Sequence, residues 1–187
     1  MTHDIRRSIR LQGYEYTQQG AYFVTVCTYA HTCRFGAGVD GEMALNHLGR
    51  LVAQEWENTA VLRPNVERDA FVMMPNHVHG IIVIVSEGGG KDARRGMVHH
   101  APASPRAFSQ PIANSLGTIV GAFKASVTRS ARQASLIREA PLWQRNYYEH
   151  IVCDQSDLDR IRNYIAGNPA RWTEDALFSV VRDGDGS

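Results

Sequence analysis

The stretch MMPNHVHGII, residues 73–82, sets two histidines one residue apart just ahead of a run of aliphatic side chains. In an extended strand alternate side chains share a face, so His77 and His79 point one way and Val78 the other. Two imidazoles placed like this can converge on a single ion. They are too few for a structural zinc, which takes four ligands, usually including cysteine. A site with open positions is what metal-assisted chemistry on a phosphate or carbonyl requires. The same spacing also suits two histidines that cap a sheet edge by hydrogen bonds, with no metal. The second candidate is RIRNYIAGNP, residues 160–169. Tyr164 and Asn168 stand four apart and share a helix face, with Tyr164 at the flank of an apolar stripe formed by Leu158, Ile161 and Ile165. On spacing alone, an edge tyrosine and a C-capping asparagine describe that pair better.

These residues need elements to carry them. AYFVTVCT (21–28) is aromatic and β-branched, the composition of a buried strand. Asp40-Gly41 in VDGEM marks a tight hairpin. From Asn46 a helical period places Leu48, Leu51, Val52 and Trp56 on one side. AFVMM and HVHGIIVIV are strand-like runs separated by the turn-forming pair Pro75-Asn76, which predicts antiparallel pairing. Ile112, Leu116, Ile119, Val120, Phe123 and Val127 form a second amphipathic helix, and LWQRNYYEHIV (142–152) reads as a strand. A last helix opens at Ser156, with Asp159 completing a capping box, and stops at Gly167 and Asn168-Pro169. The order strand, helix, strand, strand, helix, strand, helix predicts an α+β fold, an antiparallel sheet with helices packed on one face.

The chain of 187 residues is long enough for a single domain with a sizeable core. Residues 86–111 interrupt it with three consecutive glycines and three of the seven prolines, the composition of a flexible insertion. At 43% apolar and 21% charged the composition is that of a globular protein. No run approaches the roughly 20 apolar residues of a membrane span, and MTHDIRRSIRLQ lacks the apolar centre of a secretory signal. Three scattered cysteines without a CxxC give no disulfide framework, so the expected compartment is the cytoplasm. The net charge of +1 does not itself announce nucleic acid, but Arg6, Arg7 and Arg10, and later Lys124, Arg129, Arg132, Arg138 and Arg145, form basic stripes.

With MPNHVHGIIVI and WQRNYYEHIV…IRNYIAGNPARW both in view, the sequence resembles the single-tyrosine HUH transposases, and within them the REP-associated tyrosine transposases (REP meaning repetitive extragenic palindrome). The similarity runs from about Arg6 through Trp172. It implies a ferredoxin-like sheet, the HUH endonuclease fold, whose members cut and rejoin single-stranded DNA, often beside a hairpin, through a 5′-phosphotyrosine link. By the same match Tyr164 is the nucleophile, and His77, His79 and Asn168 are ligands of Mg²⁺ or Mn²⁺. His150 matches a histidine common in this branch and is expected to have a structural or DNA-contacting role. Arg7, Arg10, Lys124, Arg129 and Arg145 are the expected phosphate contacts. Tyr147 and Tyr148 have no amide partner at helical spacing, so packing or base stacking is their expected use. In related insertion-sequence transposases the tyrosine helix docks on the partner subunit, so the resemblance leaves both a homodimer with composite sites and a monomer open. Two other functions fit the same residues: a DNA-hairpin-binding module that no longer cuts, and a metal-dependent phosphoesterase that would leave Tyr164 without a task.

Overall fold

The computed structural model describes residues 19–85, 114–138, 141–175 and 177–178; the expected insertion at 86–111 lies outside these. Strand β1 (Gly20–Cys27) is followed by a hairpin of β2 (Gly36–Val39) and β3 (Glu42–Leu45), then helix α1 (His47–Val61). Strands β4 (Val66–Met73) and β5 (His77–Ile84) come next, then α2 (Leu116–Gln133), β6 (Tyr148–Ile151) and α3 (Gln155–Gly167). Short 3-10 turns occupy Tyr29–His31 and Pro169–Glu174. The main sheet has the order β4-β5-β1-β6, and every pairing in it is antiparallel. The α+β class and the antiparallel sheet are as the sequence predicts.

Several local signals act as read. Asn46 caps α1, its side-chain oxygen accepting from the Gly49 amide at 2.9 Å, which satisfies one of the otherwise orphaned first-turn donors. Asp40 and Gly41 both adopt positive φ, 52° and 79°, between the paired residues Val39 and Glu42, the backbone twist that a two-residue hairpin favours. Pro75-Asn76 turns β4 into β5, with Met73 opposite Val78.

Three expectations are corrected. First, the helices do not share one face of the sheet. Tyr22, Val24 and Val26 of β1 and Val78, Ile82 and Ile84 of β5 pack with α1 and α2, through Val52, Trp56, Ile119 and Phe123 among others. Phe23 and Ile81 project the other way, onto Ile161 and Ile165 of α3. Both faces of β1 and β5 carry apolar residues, so both need cover, and α3 supplies the second layer. Burying Ile161 and Ile165 contributes roughly 1.5–3 kcal/mol each. That outweighs the partly exposed Arg162–Asp69 ion pair that ties α3 to β4, worth about 0.5–1 kcal/mol.

Second, the segment 142–152 is strand only over Tyr148–Ile151. Leu142 and Trp143 are buried consecutively, which breaks the two-residue period of a half-buried strand. Further on, the carbonyls of Gln144 and Asn146 accept from Lys124 Nζ at 2.8 and 2.9 Å. Third, α3 is capped by Asp154, whose side chain accepts from the Asp157 amide at 2.8 Å, and not by a box opening at Ser156. An aspartate placed earlier reaches the same orphan donors.

Asp157, in the first turn of α3, then binds His150 of β6 at 2.8 Å and also accepts from the Cys153 amide and Arg160. The hydrogen bond from His150 is the main cause that lowers the Asp157 carboxyl from 3.8 to about 2. A folded-state pKa below the unfolded one adds stability that is present above about pH 4 and is lost as pH falls toward 2. We expect this group to contribute about 1 kcal/mol to acid unfolding across that window. Denaturant titrations of wild type and Asp157→Asn between pH 5 and 2 check it: the variant should show the flatter profile, and superimposable profiles would refute the assignment.

Candidate active site

Strand alternation settles which side the histidines take. His77 and His79 lie on the same face of β5 as Ile81, away from α1 and α2 and toward α3. Both are almost fully buried, at 0% and 3% exposure. Their Nε2 atoms face each other at 2.9 Å. Asn76 orients the first ring. Its Nδ2 donates to the carbonyls of His31 and Leu177 at 2.9 and 2.7 Å, which turns its oxygen toward His77 Nδ1 at 2.7 Å. An amide oxygen only accepts, so His77 carries its proton on Nδ1 and presents a lone pair at Nε2. Thr25 of β1 sits 2.8 Å from His79 Nδ1, and its hydroxyl can donate or accept. With Thr25 donating, His79 gives its Nε2 proton to His77. With Thr25 accepting, two lone pairs converge, the arrangement a cation requires.

Burial, reinforced by neighbouring histidines, lowers both imidazoles from 6.5 to about 3. Near neutral pH they are uncharged, the form that ligates. Phe23 stacks on His79 with centroids 5.4 Å apart, and Trp172 lies 6.0 Å from His77. These walls hold the rings by contact, and His79 lines the cleft.

Helix α3 brings Tyr164 to this pair. Its Oη is 3.3 Å from His79 Nε2, and its ring meets Phe23 edge-on at 6.0 Å. The side chain is 40% exposed, so the phenol borders both the histidines and solvent. Burial raises the phenol's pKa, with Asp175 adding to the rise and Asn168 and Arg171 opposing it. A neutral phenol is a weak nucleophile, so this one needs nearby positive charge to act.

Asn168, one turn beyond Tyr164, does not take a left-handed cap conformation. It stays helical at φ −64° and ψ −44° and leads straight into the 3-10 turn, so the glycine before it does not dislodge it. Asn168 is 3% exposed, and its Oδ1 accepts no hydrogen bond among the described residues. An orphaned buried carbonyl costs about 1–3 kcal/mol, which a cation or donor would recover.

His77 and His79, with Asp175, form a cluster that could hold a metal ion, their ligand atoms all lying within 4.8 Å of one another. Asp175 was not legible in the sequence: it lies beyond α3 in an acidic stretch, and its separation from the histidines carries no pattern. Thr25 was missed for the same reason, and Asn76, next to His77, was read only as a turn residue. Two imidazoles and a carboxylate make a mixed nitrogen and oxygen set that suits a first-row divalent ion such as manganese. Magnesium prefers oxygen alone.

The other predicted residues are distributed unevenly. His79, Tyr164, Asn168 and His150 line one cleft of about 810 Å³, with Tyr148 and Arg171. Tyr148 is 47% exposed there, on the edge strand. Lys124 has a different task from the one expected. Burial lowers its ammonium to about 8, and its protons serve the carbonyls of residues 144–146, so it staples that loop. His150 clamps the start of α3. Arg129 and Arg145 are exposed, and neither lines the cleft. Arg7 and Arg10 lie outside the described residues. Among the described residues, no helix is long and apolar enough to cross a membrane.

The fold is similar to that of a solved transposase. The chain superposes on a REP-associated tyrosine transposase solved bound to a REP hairpin, with a TM-score of 0.56 and 16% identity, over 96% of this chain and 92% of that one. No family model matches the chain. At the level of sequence it is 43% identical over 176 residues to an uncharacterized protein of Haemophilus influenzae, spanning 92% of this chain and 93% of that protein. The chain belongs to the family of that Haemophilus influenzae protein.

Proposed function

We propose that this protein is a metal-dependent single-stranded DNA endonuclease and transposase that cuts and rejoins DNA near hairpins, with Tyr164 as nucleophile. The observation that carries the reading is the 3.3 Å approach of the Tyr164 oxygen to His79 Nε2, across 85 residues of the same chain. The likeness in fold to a transposase bound to a REP hairpin supports DNA as the partner. The approach is made within one chain, which favours a monomer with its own helix over a homodimer with exchanged helices.

In this reading His77, His79 and Asn168 hold Mn²⁺ or Mg²⁺, with Asp175 as a further oxygen donor. When bound, such an ion neutralises charge on the phosphate and orients it for in-line attack. The chain's own residues do the rest. The Tyr164 oxygen forms a bond to phosphorus, and its proton leaves to water in the open cleft. The bond from phosphorus to the 3′ oxygen breaks, and that oxygen leaves with the electron pair and takes up a proton as a 3′-hydroxyl. The 5′-phosphotyrosine conserves the bond energy, so the reverse step rejoins strands without a nucleotide. Asn76 and Thr25 hold the imidazoles in the ligating tautomer.

The test uses a labelled single strand carrying inverted repeats from the flanks of the gene. We expect an SDS-resistant adduct, formed faster with Mn²⁺ than with Mg²⁺ because imidazole ligands suit manganese better. Equal or faster adduct formation in Mg²⁺ would contradict the proposed ligand set. A mobility shift without adduct would mean a binding module. Phosphoester turnover that survives Tyr164→Phe would mean a hydrolase.

A further inference from the structure

Three arginines follow one another around the cleft and the helix that borders it, and two are engaged. Arg160 pairs with Asp157, and Arg162 with Asp69 and Asp159. Arg171, in the turn after α3, is exposed, lines the cleft beside His79, Tyr164 and Asn168, and makes no ion pair among the described residues.

Its placement depends on Gly167. A Cβ built at that position would stand 3.1 Å from Arg171 Nη2, 3.7 Å from Cζ and 3.8 Å from Nε. The guanidinium therefore lies against the bare Cα of the last turn of α3. Gly167 is three residues beyond Tyr164, so it lies on the same side of the helix as the phenol. The glycine is a seat for the arginine. A side chain there would ask the guanidinium to give way by a few tenths of an ångström.

We propose that Arg171, seated on Gly167, binds the phosphate that Tyr164 attacks. This rests on the tyrosine reading given above. A guanidinium presents paired N–H donors that match two non-bridging phosphate oxygens, a match that a lysine point charge does not make. When the Tyr164 oxygen bonds to phosphorus, negative charge grows on those two oxygens, so the same donors bind the transition state more strongly than the ground state. Arg171 is the cation that the chain itself brings to the cleft beside Tyr164 without an acidic partner among the described residues.

The linkage cut by the wild type is mapped first, and then synthesised with either a phosphate or an uncharged methylphosphonate at that position. On the phosphate strand Arg171→Ala should slow adduct formation by about 10²-fold, as loss of a transition-state donor does elsewhere. Arg171→Lys should recover only part of the rate. On the methylphosphonate strand the gap between wild type and Arg171→Ala should shrink, because the charge that the arginine reads is gone. An unchanged rate in Arg171→Ala, or the same loss on both strands, would overturn the inference and leave the tyrosine reading intact. Absence of adduct from the wild type itself would overturn both.

Discussion

Tyr164→Phe is expected to abolish covalent capture of DNA while leaving the protein folded and able to bind a single strand. The substitution removes one oxygen and keeps the ring, which packs edge-on against Phe23 at 6.0 Å and against His79 at 5.2 Å. The residue is 40% exposed and its oxygen lies 3.3 Å from His79 Nε2, a long contact, so loss of that oxygen should change stability by about 1 kcal/mol or less. For chemistry the effect is of another order. Without a nucleophilic oxygen the phosphotyrosine cannot form, and removal of a covalent nucleophile costs on the order of 10³-fold or more in rate. Tyr147 and Tyr148 do not replace it. It is the oxygen of Tyr164 that lies 3.3 Å from His79 Nε2. Three readouts separate the outcomes: a thermal melt for folding, a mobility shift for binding, and SDS-resistant label for capture. An adduct of undiminished yield in Tyr164→Phe would sink the mechanism.

Gly80→Ala carries the largest expected cost to stability. Gly80 sits in β5 between His79 and Ile81, on the face covered by α1. A Cβ there would stand 2.3 Å from Cζ2 and 2.6 Å from Cη2 of Trp56. Real contacts do not come so close, so either the strand or the indole must move. The indole is 1% exposed, stacked on Phe71 at 4.8 Å and set edge-on to Phe123 at 5.4 Å, and it has no open side. Overpacking of a filled core costs about 1–3 kcal/mol and sometimes more, and the upper end applies here because the ring cannot yield. Displacing β5 also displaces His79, so metal affinity should fall with stability. Urea denaturation of the variant measures the first effect and Mn²⁺ titration the second. Trp56→Phe in the same chain should relieve part of the strain by removing the ring atoms that collide. A single variant as stable as wild type would show that the core is looser than this packing implies.

The two substitutions probe opposite faces of one strand, and they show why the site is rigid. Trp56 presses on β5 from one side while Phe23, Tyr164 and Trp172 hold the imidazoles on the other. A metal site must keep its ligands within a few tenths of an ångström. The glycine that admits Trp56 against the strand is therefore part of what positions His79, although it touches nothing in the cleft.

Much of this was legible in advance. Periodicity put His77 and His79 on one face, Tyr164 and Asn168 on one side of a helix and the start of α1 at Asn46, and the Asp40-Gly41 pair marked the turn. Each depends on backbone geometry repeating over a few residues, which a linear sequence records directly. The tertiary structure decided the rest. Whether α3 covers the face bearing the histidines depends on where Ile161 and Ile165 find apolar cover, and that cover is contributed by β1 and β5, far away in the chain. The lysine expected on phosphate was drawn instead to the carbonyls of residues 144–146, a partner set that exists only once the loop has folded against α2. Asp175, Asn76 and Thr25 join the site in the same way. Local pattern names the groups that could do chemistry, but only the packing of distant apolar surfaces brings a phenol within reach of an imidazole.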